Sequence, residues 1–189
     1  MAFKDFKTKE SVVIVYTGEG KGKTTASLGL MARGLGNRQK VAFIQFIKYW
    51  DVSEHVFIRD IEGLYKDRLY FYKGGKGFYK AGDLSAKNIS EAQHKKAARE
   101  TLDQAIKASQ SGEFGLVICD EINNAVHDGL ITVSDLKKLI ISKSPKTSLC
   151  LTGRNFPVKL YDLADIITSM DKIKHHFDDK YLANKGIDF

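Results

Sequence analysis

The chain has 189 residues, 43% hydrophobic and 28% charged, with a formal net charge of +7 from 30 Lys+Arg against 23 Asp+Glu. That length suits one domain, and the composition excludes a disordered or collagen-like chain. Two prolines and no Pro- or Ser-rich stretch leave nothing to act as a linker, so residues 1–189 are expected to form a single domain; the longest apolar run, Val12 to Tyr16, is far too short to span a membrane.

Val12 to Thr17 follows the basic start MAFKDFKTKE, which lacks a signal-peptide core, so a cytoplasmic location is expected. This continuous apolar run, bounded by glycine, reads as a strand buried on both faces. A helix is expected from Lys23 to Leu35, stopped by Gly36 and Asn37. Val41 to Ile47 reads as a second strand and Leu69 to Tyr72 as a third, followed by the loop Gly74 to Gly77. Ser90 can cap a long helix reaching Ser109, with Glu91 near its positive end and Ala97, Ala98, Leu102 and Ile106 at helical spacing. Leu116 to Cys119 is a fourth strand, Ser134 opens a short helix, Ser148 to Thr152 is a fifth strand, Val158 to Leu163 is helical, and Ile166 to Thr168 is a short sixth strand. Apolar strands alternating with helices define an α/β class, a mostly parallel sheet flanked by helices, with ligands expected beyond the carboxyl ends of the strands. Cys119 and Cys150 each sit in an apolar segment and read as buried core thiols.

Directly after the first strand comes Gly18-Glu19-Gly20-Lys21-Gly22-Lys23-Thr24-Thr25. Closely spaced glycines let several amides point at one anion, and the following helix adds its positive end. Lys23 would reach phosphate oxygens, and Thr24 would offer its hydroxyl to Mg²⁺. The common G-x-x-x-x-G-K-[ST] spacing is broken at one place, because Thr17 stands where the first glycine belongs. The plain alternative is a glycine-rich turn with surface lysines. The second motif, Leu116 to Glu121, ends a buried strand on Asp120 and Glu121, two hard oxygen donors suited to a nucleotide-bound Mg²⁺; either carboxylate could instead cap the next helix. No base for a hydroxyl acceptor can be singled out, and the adjacent His175 and His176 read as surface residues.

TGEGKGKTTASLGLMARGLG, VAFIQFIKYW, LVICDEI, LTGR and the ending KGIDF together resemble the ATP:corrinoid adenosyltransferases of the cobalamin-synthesis type, from about Val12 to Phe189. The late first glycine is typical of that family. The resemblance implies a RecA-like P-loop fold, usually a homodimer, and attack of corrinoid Co(I) on the 5′-carbon of ATP with release of triphosphate. Co(I) is itself a strong nucleophile, so no base is needed. ATP would lie on Gly18 to Thr25, with Lys21, Lys23, the loop amides and Mg²⁺ on Thr24, Asp120 and Glu121 stabilising the departing charge.

The resemblance also implies aromatic residues beside the corrinoid. Where a typical member has G-F-T-W, this chain has Gly77-Phe78-Tyr79-Lys80: the phenylalanine is kept and the tryptophan position holds Lys80. Tyr79 or Trp50 would then substitute, and Lys80 would meet a corrin carboxylate or amide. Glu19 stands where asparagine is usual, and the N-terminal arm is short, which leaves a dimer partner or a loop to cover the site. A flavoprotein is the expected reductant. Two other readings are a P-loop phosphotransferase or ATPase such as a nucleoside kinase, and a RecA-like nucleic-acid-dependent ATPase. The first lacks the four-cysteine zinc ribbon of thymidine kinases. The second lacks an aromatic and basic single-strand platform, so neither nucleic acid nor membrane is an expected partner.

Overall fold

The computed structural model describes residues 5–77, 79 and 89–189. Strands β1 (Val13–Thr17), β2 (Val41–Gln45), β3 (Leu69–Lys73), β4 (Leu116–Asp120), β5 (Ser148–Thr152) and β6 (Ile166–Ser169) form one parallel sheet in the order β3-β2-β4-β5-β1-β6. The helices are α1 (Lys23–Gly36), α2 (Ser53–Tyr65), α3 (Glu91–Gln110), α4 (Ile122–His127) and α5 (Val133–Ser142), with short 3-10 turns at Val158–Leu163 and His176–Asp179.

The strands are apolar along their length because helices cover both faces. Val41, Phe43, Ile118 and Cys150 pack on one side against Met31 and Leu35 of α1 and Ile58 of α2. Ala42, Ile44, Val117, Cys119 and Leu151 pack on the other against Leu102 of α3, Ile122 of α4 and Leu136 of α5. A side chain such as Leu102, fully buried, contributes about 2 kcal/mol by leaving water. Both cysteines are free and buried, as expected, and burial pushes both thiols well above their usual range.

The expected strands and the long helix appear within a residue or two of their expected limits, with three differences. β2 stops at Gln45 rather than Ile47: Phe46 still donates its N–H to the Asp120 carbonyl (3.0 Å), but the neighbouring β4 ends at Asp120, where Glu121 takes φ 64. The helix expected to open at Ser134 is capped two residues earlier, where Thr132 accepts from the Asp135 N–H (3.1 Å) and Asp135 accepts in return from the Thr132 N–H (2.9 Å). Helix α2 was not expected at all, since Val52 at its N-cap offers no capping side chain; its only signal is Ile58, Ile61 and Tyr65 at helical spacing.

The strand order places β5 between β1 and β4. The glycine-rich loop after β1 and the carboxylates after β4 are therefore two strands apart, and Thr152, at the end of β5, stands between them.

Candidate active site at the carboxyl ends of the strands

The glycine-rich loop needs two residues in the left-handed region, Gly18 (φ 94) and Gly22 (φ 112), and glycine enters it without a Cβ penalty. Gly18 is also confined by space, since a Cβ there would lie 2.5 Å from the Met170 carbonyl oxygen. The Gly20 N–H donates to that same oxygen (2.6 Å), so the segment after β6 backs the loop. Lys23 folds over the cup, its Nζ donating to the carbonyls of Gly18 (2.7 Å) and Gly20 (2.6 Å). Burial and the Arg154 charge lower its pKa, while Glu121, Glu19 and Asp120 oppose them. Lys21 pairs with Asp188 (2.9 Å), and Glu19 pairs with Arg154 (3.2 Å). Thr25 is exposed on the first turn of α1.

Thr24 joins the loop to the carboxylate wall. Its hydroxyl lies 3.3 Å from Asp120 Oδ2, which also accepts from Gln45 Nε2 (2.9 Å), while Asp120 Oδ1 accepts from the Thr152 hydroxyl (2.7 Å). A buried carboxylate with three donors is held as a fixed acceptor. Glu121 follows with φ 64, an uncommon conformation for a non-glycine residue; its N–H donates to Thr152 Oγ1 (3.0 Å) and its carboxyl accepts from Asn124 Nδ2. Glu121 occupies the N-cap position of α4, but its side chain makes no capping hydrogen bond there. Burial and the neighbouring Asp120 charge push its pKa up to about 7, against the pull of Lys48, Lys23 and Arg154.

The residues expected at the corrinoid divide in two. Phe78 and Lys80 lie outside the described residues. Trp50 is exposed on the segment leaving β2, and Tyr79 is half-buried with its ring 5.2 Å from that of His94. These two segments run side by side: Gly77 donates to the Ile47 carbonyl (2.9 Å), and a Cβ at Gly75 would sit 2.2 Å from that oxygen. Trp50 and Tyr79 thus follow neighbouring strands at the β2–β3 side, and the phosphate loop lies at the β1 side.

The sequence model of the family described as ATP:corrinoid adenosyltransferase BtuR/CobO/CobP matches residues 9–189. The chain belongs to the ATP:corrinoid adenosyltransferase family. It is 32% identical to the corrinoid adenosyltransferase of a Sinorhizobium species over 185 residues, covering 97% of this chain and 83% of that one. The Pseudomonas aeruginosa enzyme is 29% identical, covering 97% and 86%, and the Escherichia coli K12 enzyme 27%, covering 96% and 87%. Among solved structures, the flagellar accessory protein FlaH from Methanocaldococcus jannaschii (TM-score 0.52, 16% identity, 85% of this chain and 71% of that) shares the fold. So does a KaiC-like protein from Pyrococcus horikoshii (TM-score 0.52, 14% identity, 88% and 75%).

Four side chains of this candidate site carried no assigned role in the sequence: Gln45, Lys48, Thr152 and Arg154. Gln45 and Lys48 belong to QFIK and Arg154 to LTGR, so the motifs marked them without saying what they hold. Lys48 donates to Glu54 (2.5 Å); burial opposes its charge, but Asp120 and Glu54 outweigh it and raise its pKa. The donor set also suits Mg²⁺. Among the described residues no three His, Cys, Asp or Glu side chains converge, and a hydroxyl with one or two carboxylates fits an ion that takes its other ligands from phosphate and water. No helix among the described residues is long and apolar enough to cross a membrane.

Proposed function

We propose that this family member binds ATP on Gly18 to Thr25 and transfers its 5′-deoxyadenosyl group to the Co(I) of a reduced corrinoid held on the Trp50 and Tyr79 side. The observation that carries the placement is the convergence of Lys23, Thr24 and Asp120 at the carboxyl ends of β1 and β4. The electron pair of Co(I) forms the bond to C5′, the C5′–oxygen bond breaks, and its pair leaves on triphosphate. No proton has to move, so the protein's task is to orient the two substrates and to stabilise charge on the leaving group. Lys23 exchanges two carbonyl oxygens for phosphate oxygens. Lys21 and Arg154, each now paired with a carboxylate, border the same cup and are the next cations in reach of a triphosphate.

A Mg²⁺ carried by Thr24 with Asp120 or Glu121 would neutralise part of the triphosphate charge. Phe78, Tyr79, Trp50 and Lys80 form the corrinoid side, with Phe78 displacing the lower axial ligand of cobalt. The chain acts as one domain, as a cytoplasmic homodimer, and receives Co(I) through a flavoprotein reductant.

The test is an assay with ATP, Mg²⁺ and chemically reduced corrinoid. A light-sensitive cobalt–carbon product and one triphosphate per turnover are expected. Orthophosphate release that needs no corrinoid would overturn the reading. Phe78→Ala is expected to slow assays started from Co(II) more than those started from Co(I), and equal losses would remove its axial-ligand role.

A further inference from the structure

Gln45 ends β2 directly beside Asp120 in the sheet register and is fully buried. Its amide has two chemically different ends of nearly the same shape, and only one orientation serves Asp120, because the reverse would set a carbonyl oxygen against a carboxylate. What decides the orientation is His55, on the first turn of α2. This side chain is 1% exposed, and its Nε2 lies 2.5 Å from Gln45 Oε1.

The tautomer of His55 follows from its other contact. Nδ1 accepts from the Val52 N–H (3.4 Å), so the ring proton is on Nε2 and is donated to Gln45. Burial and the Lys73 charge lower the pKa of His55, which keeps the ring neutral and the tautomer defined. Asp51, 3.6 Å from Nδ1, is drawn instead to Arg59 and Lys73. The ring is fixed laterally by Phe71, with centroids 5.6 Å apart. All donors in the resulting chain point one way: Val52 N–H to His55, His55 to Gln45, and Gln45 to Asp120. Glu54 Oε1, 3.5 Å from Gln45 Nε2, takes the second amide hydrogen and is itself held by Lys48. Asp120 is left as an acceptor only, so the Thr24 hydroxyl must donate to it and present its lone pairs to the cup.

We propose that His55 is a positioning residue: acting through the Gln45 amide, it fixes Asp120 as an acceptor and so turns the Thr24 oxygen toward the triphosphate and its cation. This rests on the reading of Thr24 and Asp120 as the cation side of the ATP site. It goes beyond that reading by assigning a role to the first residue of QFIK and to a histidine that no motif contains.

The test compares His55→Met, which keeps bulk and removes the donor, with His55→Gln, whose amide can restore it. Calorimetric ATP binding is measured with Mg²⁺ and with EDTA, and adenosylation of Co(I) corrinoid is followed against Mg²⁺ concentration. His55→Met is expected to weaken Mg²⁺-dependent ATP binding, and to raise the Mg²⁺ concentration for half-maximal rate, about tenfold. ATP binding in EDTA should stay within about twofold, and His55→Gln should recover most of the loss. Equal losses with and without Mg²⁺, no recovery in His55→Gln, or no loss at all in a folded His55→Met would overturn the proposal. Should His55→Met fail to fold, Gln45→Met removes the same link one step nearer Asp120 and carries the same expectation and the same refutations. Thr24→Ala separates the two levels. If it loses the Mg²⁺-dependent part and the His55 and Gln45 variants do not, only the relay fails; if Thr24→Ala keeps that part, the site assignment fails with it.

Discussion

Asp120 and Asp188 both hold a group of the phosphate loop, and they do so in opposite settings. Asp120 is fully buried at the end of β4 and takes donors from β2, β5 and α1, so its partner Thr24 is fixed by the sheet itself. Asp188 lies next to the last residue, on a turn closed by the Asn184 N–H (2.8 Å), and its partner Lys21 is 40% exposed. The first arrangement is preorganised and costs free energy to disturb. The second is an ion pair with its lysine end in solvent, 40% exposed against 10% for Asp188, less fixed than the buried network and open to replacement by a stronger anion. On the proposed ATP site, the Asp120 wall would set geometry before ATP arrives, and the Asp188 segment would be what ATP displaces.

The largest effects should follow changes on the preorganised side. Lys23→Ala and Thr24→Ala are each expected to lower the adenosylation rate by roughly 10²–10³-fold, the scale for removing one preorganised group that stabilises developing charge. Near-normal turnover in both would remove the phosphate site from this loop. Asp120→Ala strands the donors of Gln45, Thr152 and Thr24 in a buried place, and a loss of roughly 3 kcal/mol in urea unfolding is expected. A change below about 1 kcal/mol would mean that water reaches those donors and that the wall is less fixed than its hydrogen bonds imply.

What the sequence disclosed follows the same division. Strong local physics was legible. The apolar runs gave β1, β4 and β5, Ser90 gave the start of α3, and the glycine spacing before Lys23 and Thr24 gave the loop, because each rests on residues adjacent in the chain. The relay was not legible, since Gln45, His55 and Asp120 meet only through the β2–β4 register and the docking of α2, a helix whose N-cap residue, Val52, has no polar side chain to announce it. The two carboxylates were read as a pair, yet they differ: Asp120 is saturated with donors, while the left-handed turn at Glu121 sets its carboxyl beside Asp120 with fewer. Nothing in the letters Asp-Glu foretells that turn. The charges of Lys21 and Arg154 were counted correctly as an excess, but their intramolecular partners, Asp188 and Glu19, lie far from them in the sequence.

Glu121 supplies an intermediate effect with a definite sign. Its pKa is about 7 in the folded chain against an ordinary value of 4.5, so between these limits the folded state binds more proton than the unfolded one. Stability of the ligand-free protein should therefore fall as pH rises through that window and level off above it. Glu121→Gln should flatten this slope in urea unfolding measured from pH 4.5 to 8. Binding of Mg²⁺ with ATP favours the ionised carboxyl, so calorimetry at pH 7 in buffers of different ionisation enthalpy should show proton release that the variant lacks. An unchanged slope in Glu121→Gln would assign the titration to another group.

The smallest effects belong to the displaceable side, and their direction is informative. The Asn184 N–H and the Lys21 charge hold the Asp188 carboxyl below its usual range, so it is a full anion at neutral pH and competes with phosphate for Lys21. Asp188→Asn removes the competitor and keeps the turn, since the amide oxygen can still accept from Asn184. Tripolyphosphate should then bind roughly two- to threefold more tightly, with little change in Tm, and the gain should shrink as salt rises because the lysine end of the pair is exposed. Glu19→Gln, which frees Arg154, should act in the same direction. Weaker binding in Asp188→Asn would reverse the comparison: Asp188 would then be orienting Lys21 in the bound state, and the C-terminal turn would belong to the preorganised part of the site with Asp120.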